Sequence, residues 1–279
     1  MNGTLRRLSA VAALGAPLLF GAAGAAEGPS LWLEIGAYEG GTGDLFLQVD
    51  APVAQADVVT LAAGRTLGGN GDPETETYVA AFAHGTDKPV YGAVRYTFWG
   101  ERDALTTHTV SATLSARGTH GSVRVTPSLR SIVLRTKAAL PKKRLGTNAY
   151  GLGGSATLYL GRRVDLAGGG TFYSFEDDPA VLATATATRV FTTNALALSS
   201  GLLERNLWVE LAVYVADLRL AVERAQSIYA SDGNRSDMRA AKVDWRLSEA
   251  YSLGVEVGEV ADSLADSARY GRFILGYRF

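Results

Sequence analysis

The residues of this chain best suited to chemistry are its three histidines, His84, His108 and His120, because a histidine beside a serine is the usual base–nucleophile pair. His108 and Ser111 are three residues apart, so on a strand they point to opposite faces. His120 and Ser122 share a face, but the Gly-Thr-His-Gly sequence around them predicts a turn. The pattern therefore favours structural roles, and we expect no enzymatic activity.

Other binding motifs are weaker. The chain has no cysteine, which excludes thiolate metal sites and disulfides. The acidic run Glu176-Asp-Asp178, and Asp232 with Asp237, offer carboxylates to a divalent cation, but solvated loop charge is the default interpretation. The net charge of −1 provides no basic footprint for nucleic acid. We therefore expect no cofactor, no metal and no nucleic-acid partner.

A period of two residues recurs along the chain and predicts strands. In the segment 207–215, leucine and valine alternate with Trp208, Glu210 and Tyr214, and the carboxylate requires that one face of this strand be wet. After residue 26 no run approaches the 18 apolar residues of a membrane helix, although 47% of all residues are hydrophobic. The apolar residues are therefore dispersed by alternation.

Sixteen segments carry this alternation, with boundaries uncertain by two to four residues. Merging two weak candidates would give fourteen strands, and twelve is also allowed. A soluble β-sandwich alternates too, but the number of strands and the apolar outward faces favour a membrane barrel. The predicted strands lie near 30–38, 45–52, 56–65, 76–84, 89–99, 105–117, 121–136, 147–160, 163–175, 181–190, 193–203, 207–216, 218–229, 238–247, 250–260 and 268–279.

The final segment ends on an aromatic residue and places Phe273, Leu275, Tyr277 and Phe279 on one face. It resembles the closing strand of porin-like Gram-negative outer-membrane β-barrels. That resemblance implies an all-β, transmembrane, antiparallel up-and-down β-barrel of about 14–16 strands in the bacterial outer membrane. It further implies contact with outer-membrane lipid and lipopolysaccharide, and recognition of these four residues by the barrel-assembly machinery.

The first 26 residues have the order of a secretory signal peptide: Arg6 and Arg7, then an apolar stretch to Phe20, then small residues. We expect cleavage near Ala25 or Ala26, which leaves 27–279 as the barrel.

The inward face of such a barrel would carry charges of both signs, interleaved so that neighbours pair, for example Arg219 with Glu210 or Asp244 with Arg272. Neither sign dominates, which differs from a pore with strong ion preference. The predicted pore-lining residues are Trp32, Glu34, Asp50, Arg95, Arg124, Trp208, Glu210, Tyr214, Arg219, Glu223, Lys242, Asp244, Arg246, Glu256, Arg272 and Arg278.

A barrel this wide encloses more space than its side chains fill, so the sequence predicts a passive diffusion channel for small polar solutes. The alternatives are a duct for polymer export, a structural role and, less favoured, a lipid-modifying enzyme. The predicted connections reach only about ten residues, so we expect any constriction to come from inward wall side chains such as Trp32, Phe46, Trp208 and Tyr214. Trimeric porins carry a long inward loop, and its expected absence favours a monomer.

Overall fold

The computed structural model describes residues 28–39, 41–68, 74–101, 105–135, 144–178, 202–230, 233, 235–262 and 267–279. The signal-peptide prediction lies outside these residues. So do the predicted strand at 181–190 and almost all of the one at 193–203.

Fourteen antiparallel strands form within the described residues, and each follows a segment in which large apolar residues alternate with polar or small ones. They are β1 Ser30–Tyr38, β2 Gly43–Ala54, β3 Asp57–Leu67, β4 Thr75–His84, β5 Val90–Gly100, β6 Leu105–Gly118, β7 Gly121–Arg135, β8 Arg144–Tyr159, β9 Val164–Phe175, β10 Leu203–Val215, β11 Leu218–Tyr229, β12 Arg235–Arg246, β13 Tyr251–Asp262 and β14 Ala268–Arg278.

Every strand pairs with its neighbours in sequence, and β14 pairs with β1 from Arg278↔Ser30 to Tyr270↔Tyr38, so the sheet closes into a barrel. The predicted up-and-down β-barrel is confirmed, at the lower end of the predicted strand number. Strand β9 pairs directly with β10 over nine register positions, from Phe172↔Arg205 to Val164↔Val213. The segment 176–202, which holds two of the sixteen predicted strands, therefore connects two adjacent strands of the wall.

The two ends of the barrel differ in the length of their connections. At the end that carries both termini the connections are tight, as at Ala216-Asp217, where Ala216 adopts a left-handed φ of 52°. At the opposite end they include 136–143 and 176–202. Short periplasmic turns and longer extracellular loops are typical of outer-membrane barrels. No helix among the described residues is long and apolar enough to cross a membrane.

Large apolar side chains cover the outer face. On β13 the outward residues Tyr251, Val255 and Val257 are 43–56% exposed to solvent in the isolated chain. Near the terminal end the rings of Tyr251, Tyr277 and Phe279 stack at centroid distances of 4.8 and 4.7 Å, an aromatic group of the kind found at membrane interfaces. A surface of this kind requires lipid or an equivalent apolar cover.

The loss of stability caused by an arginine on the outer face shows whether its position lies within the apolar band of the membrane. We expect Val255→Arg, in the middle of the β13 face, to lower the free energy of unfolding by about 2–4 kcal/mol, and Ala261→Arg, toward the long-loop end of the same strand, by about 0–1 kcal/mol. Urea unfolding of the protein refolded into lipid vesicles measures both values. Equal costs at the two positions would contradict the depth assignment.

Candidate functional site

The inner face is identified by contacts between strands that are two apart, which form only on the concave side of a curved wall. Lys242 Nζ on β12 lies 3.3 Å from Glu210 Oε2 on β10, and Arg124 Nη2 on β7 lies 3.4 Å from the Tyr91 hydroxyl on β5. All side chains that share this parity in the pairing register face the interior.

All sixteen predicted residues have the inward parity, because the register runs without interruption between their strands. The structure brings half of them together in two contacting groups on β10–β14 and β1. The remaining eight lie elsewhere on the inner face: Trp32, Asp50, Arg95, Arg124, Trp208, Tyr214, Arg246 and Arg278.

The first group is the Arg272 cluster, formed by Arg272, Glu34, Asp44 and Glu256. Arg272 Nε lies 2.8 Å from Glu34 Oε1, Nη1 lies 3.7 Å from Glu256 Oε1, and Nη2 lies 3.9 Å from Asp44 Oδ2. Four strands, β13, β14, β1 and β2, supply these groups. One guanidinium therefore neutralises carboxylates on both sides of the seam where the barrel closes.

Two tyrosines complete the cluster. The Tyr38 hydroxyl donates to Asp44 Oδ2 at 2.7 Å and accepts from Arg272 Nη2 at 3.2 Å. The Tyr270 hydroxyl donates to Glu256 Oε1 at 2.7 Å, and its ring lies 5.8 Å from the Arg272 Cζ atom. These hydrogen bonds go to the two carboxylate oxygens that the guanidinium approaches only to 3.7 and 3.9 Å, which is beyond hydrogen-bond distance.

The second group, the Lys242 cluster, resolves a like-charge conflict. Glu210 and Glu223 are directly opposite in the register of β10 and β11, a pairing that is destabilising by itself. Lys242 contacts both carboxylates, and Arg219 pairs with Glu210 and donates to Asp244 Oδ2 at 2.8 Å. Lys242 also lies 4.0 Å from Glu256 of the Arg272 cluster, so the two clusters are continuous.

The distribution of charge corrects the sequence interpretation. The predicted Arg219–Glu210 pair is present, but Asp244 pairs with Arg219, and Arg272 pairs with the carboxylates of its own cluster. The charges are also not interleaved around the whole wall. The two clusters hold six carboxylates and three bases, because each base bridges more than one acid.

The facing arc, β5–β8, carries arginines and no carboxylate at the inward positions whose side chains the structure describes. Arg124 donates to Ser115 Oγ at 3.3 Å and to the Tyr91 hydroxyl. Arg130 donates to the Tyr173 hydroxyl at 2.8 Å and lies 4.0 Å from that ring's centroid. Positive charge on this arc is therefore held by hydroxyl and aromatic groups.

Several residues of the site escaped the sequence interpretation. Asp44 lies one residue before the predicted start of its strand, so its parity was not counted. Arg130 follows Pro127, where a bulge or bend was expected; β7 nevertheless pairs continuously with β8 through Pro127↔Leu152, and the parity set by Arg124 persists. Extending the alternation of β2 by one residue would have found Asp44, and carrying the parity of Arg124 through Pro127 would have found Arg130.

Three large inward aromatic rings, those of Trp32, Phe46 and Tyr173, lie over glycines of neighbouring strands. A Cβ atom added to Gly276 would meet the Trp32 ring at 2.5 Å, and one added to Gly64 would meet the Phe46 ring at the same distance. The Tyr173 ring covers Gly151 in the same way. Rings held flat in this manner occupy less of the lumen than rings that project across it.

The expectation that the connections reach only about ten residues is wrong, whereas the expectation that any constriction comes from wall side chains stays a prediction. The connection between β9 and β10 covers 176–202, and its last residue, Leu202, is almost fully buried in one apolar cluster with Leu105 and Ile132 of β6 and β7. Leu202 therefore packs against inward side chains of β6 and β7 at the long-loop end of the barrel. The expectation of a monomer, which relied on the absence of a long inward segment, stays a prediction.

The histidines do not meet in the interior. His84 is exposed, with Nδ1 2.7 Å from Asp57 Oδ1 at the terminal end. His108 has the outward parity and contacts the Tyr96 hydroxyl at 2.8 Å. His120 occupies the predicted turn, between β6 and β7 at the end that carries both termini.

The acidic loop motif is engaged by protein donors. Glu176, just beyond β9, accepts hydrogen bonds from the Tyr150 hydroxyl at 2.6 Å and from Asn148 Nδ2 at 2.8 Å, and these two bonds lower the pKa of its carboxyl. Asp237 is bound by Arg235 at 2.7 and 3.0 Å. Among the described residues, no group of three or more histidine or acidic side chains is placed to hold a metal ion.

Solved structures resemble this barrel at low identity. Omp33 from Acinetobacter baumannii is 10% identical, with 92% of this chain and 100% of that chain covered and a TM-score of 0.55. CdiB from Acinetobacter baumannii is 10% identical, with 90% of this chain and 60% of that chain covered and a TM-score of 0.51. The chain has the fold of an outer-membrane β-barrel. No family model matches the sequence, and no curated protein matches it.

Removing the charge of Arg272 tests how much the Arg272 cluster stabilises the folded barrel. Arg272→Gln leaves three carboxylates without their guanidinium, and we expect the free energy of unfolding in urea to fall by about 2–3 kcal/mol, less than for a fully dry pair because water reaches the lumen. Adding Glu34→Gln should restore part of this loss, with a coupling of about 1 kcal/mol or more.

Arg278→Gln is the matched control, because Arg278 is inward but exposed and has no ion pair within the described part of the chain. It should change stability by less than about 0.5 kcal/mol. Strict additivity of the Arg272 and Glu34 substitutions would refute the proposed coupling.

Proposed function

We propose that this protein is a passive diffusion channel for small polar solutes in the bacterial outer membrane. The sixteen inward residues, with Asp44 and Arg130, line its pore. The observation that carries the proposal is a closed wall of fourteen strands whose inner face is polar and charged and where the rings of Trp32, Phe46 and Tyr173 lie over glycines.

Width supports this function. Eight strands enclose a space that side chains can fill, whereas sixteen to eighteen leave an aqueous channel. Fourteen strands stand close to the second case. Ionised side chains on the inner face also favour a wet interior, since a dry lumen would impose the cost of desolvating both charge clusters.

The arrangement of charge suits polar solutes of either sign. The carboxylate-rich arc of β10–β14, β1 and β2 faces the arginines of β5–β8, so a solute in the lumen lies between walls of opposite character. Such a field orients dipoles and offers hydrogen-bond partners without closing the pore to one kind of ion. The expected ion preference is therefore weak.

An enzymatic role is not part of the proposal. Two of the histidines lie on the outer face and the third lies in a turn at the terminal end, so none faces the lumen beside a nucleophile. Export of a polymer and a purely structural role gain no support from a particular contact.

The proposal includes the way the protein reaches its membrane. Residues 1–26 act as a cleaved signal peptide, and the mature protein is a monomer surrounded by lipid and lipopolysaccharide. The barrel-assembly machinery recognises the outward face of β14, where Phe273, Leu275, Tyr277 and Phe279 share one parity. Phe279 is 68% exposed, so its ring is available to a partner before lipid covers it.

Single-channel recording of the refolded protein in a planar bilayer tests conduction. We expect conductance steps of reproducible size and only slight preference between cations and anions. Arg124→Glu should shift the reversal potential in a salt gradient toward cation selectivity, because it replaces a lumenal positive charge with a negative one. Arg65→Glu, on the outer face of β3, is the control and should leave the selectivity unchanged. A correctly folded barrel that stays silent would refute the channel.

Phe279→Ala tests recognition of the last strand. We expect the amount of folded barrel in the outer membrane of expressing cells to fall several-fold, measured by heat-modifiable migration on gels. Refolding of the same variant into detergent should proceed as for the unaltered protein, because the exposed ring contributes little packing. Tyr251→Ala, in the same aromatic group but on β13, is the control. An equal defect in cells for both variants would assign the effect to folding.

A further inference from the structure

A row of outward-facing arginines crosses strands β11 to β14. In the pairing register Arg224 is opposite Arg239, Arg239 is opposite Glu259, and Glu259 is opposite Arg269. All four side chains are exposed. We call these residues the basic row. Immediately toward the terminal end, the same strands place Val222, Ala241 and Val257 outward, so the change from apolar to charged is abrupt.

The basic row has more positive charge than the protein neutralises. Arg224 lies 3.9 Å from Asp237, a carboxylate that Arg235 already binds at two atoms. Arg239 and Arg269 have no ion pair or side-chain hydrogen bond within the described residues, although Glu259 stands between them. The Arg269 backbone N–H donates to Glu39 Oε2 at 3.2 Å.

Two arginines in direct register repel each other, so the Arg224–Arg239 pair destabilises the sheet unless an anion lies against it. Guanidinium groups are suited to phosphate, because their planar N–H donors match two of its oxygens at once. The row therefore presents a site for a phosphate group supplied from outside the protein.

A groove of about 690 Å³ adjoins the row on the outer face. Arg224, Arg239, Glu259 and Arg269 line one part of it, and the rest is lined by the outward Val209, Leu211, Val222, Ala241 and Val257 together with Glu223, Ala240 and Gly258. The small side chain of Ala241 lies between Val222 and Val257 in the register, which forms a depression between two branched residues. An apolar depression beneath a basic edge fits a molecule with a hydrocarbon chain and a phosphate head.

The height of the row agrees with the outer membrane interface. Tyr251 belongs to the aromatic group at the terminal end, and Glu259 is eight residues further along β13. At 3.4 Å per residue and a tilt of about 40°, the two residues are separated by about 20 Å along the membrane normal. The apolar band of such barrels is about 25 Å tall, so the row stands at its far boundary, on the side of the longer loops.

We propose that the basic row and its groove bind a phosphate-bearing lipid of the outer leaflet, the phosphates of lipid A, with an acyl chain in the groove. Arg224, Arg239 and Arg269 bind the phosphate, and Ala241 provides space for the chain. The inference rests on the proposed location in the outer membrane and is independent of conduction.

Native mass spectrometry of the full mature protein, titrated with diphosphoryl lipid A in detergent, tests the site. We expect Arg224→Gln/Arg239→Gln to weaken binding at least about tenfold, the loss expected when charge-assisted hydrogen bonds are removed. Ala241→Phe, which fills the groove and keeps every charge, should also weaken binding. Arg65→Gln is the matched control, since Arg65 is an outward arginine that is already paired with Glu74.

Two further ligands distinguish a lipid phosphate from free phosphate as the group bound by the arginines. Lipid A from which both phosphates have been removed should bind at least about tenfold more weakly, because it offers no anion to the arginines. Inorganic phosphate at the same concentration should leave lipid A bound, since it has no chain for the groove; displacement by it would overturn the assignment to a lipid. Unaltered binding by Arg224→Gln/Arg239→Gln would overturn the site.

Conductance of the same variants separates this proposal from the channel. Substitutions on the outer face should leave the conductance unchanged. A silent barrel that binds lipid A would refute the channel alone, whereas a conducting barrel that ignores lipid A would refute the lipid site alone. If Arg224→Gln/Arg239→Gln does not fold, as judged by heat-modifiable migration on gels, lipid A binding is measured with Arg269→Gln at the edge of the row.

Discussion

The structure depends on one constraint: inside a membrane every backbone N–H and C=O must find its partner within the protein. A sheet meets that constraint only when its first and last strands pair, and here β1 and β14 do so over nine positions. The Arg272 cluster lies on the inner side of that seam and draws carboxylates from β13, β1 and β2. One of the two ionic clusters of the lumen thus coincides with the pairing that the barrel cannot lose.

The same constraint separates the two faces of the wall. Because successive residues of a strand point to opposite sides, a position next to a lumenal carboxylate necessarily points to lipid. Glu256 and Val257 illustrate this: the carboxylate joins Arg272 and Tyr270 inside, and the valine is 56% exposed outside. A shift of one residue in register would exchange them and place a charge in hydrocarbon, so the register is strongly specified.

Alternation made much of this barrel readable from the sequence. It located strands such as β10 and β13 and gave all sixteen predicted residues the inward parity, since parity is a property of a single strand. The strand predicted at 181–190 lies outside the described residues, and the wall closes without it because β9 pairs directly with β10. The sequence interpretation also missed that acidic and basic residues lie on opposite sides of the lumen. That separation depends on which strands face each other across the lumen, and a count of all lumenal charges does not show it.

Arginine shows how position decides the role of one side chain. Arg272 is held by carboxylates and tyrosines, and its removal exposes their charge to each other. Arg124 is held by hydroxyls, so its charge acts on whatever enters the lumen. Arg239 lies outside, between Arg224 and Glu259 in the register and beside an apolar groove, and has no ion pair within the described residues. In the proposed lipid site an anion from the membrane neutralises the excess positive charge of the outer row, whereas Arg272 in the lumen is already neutralised by carboxylates of the protein.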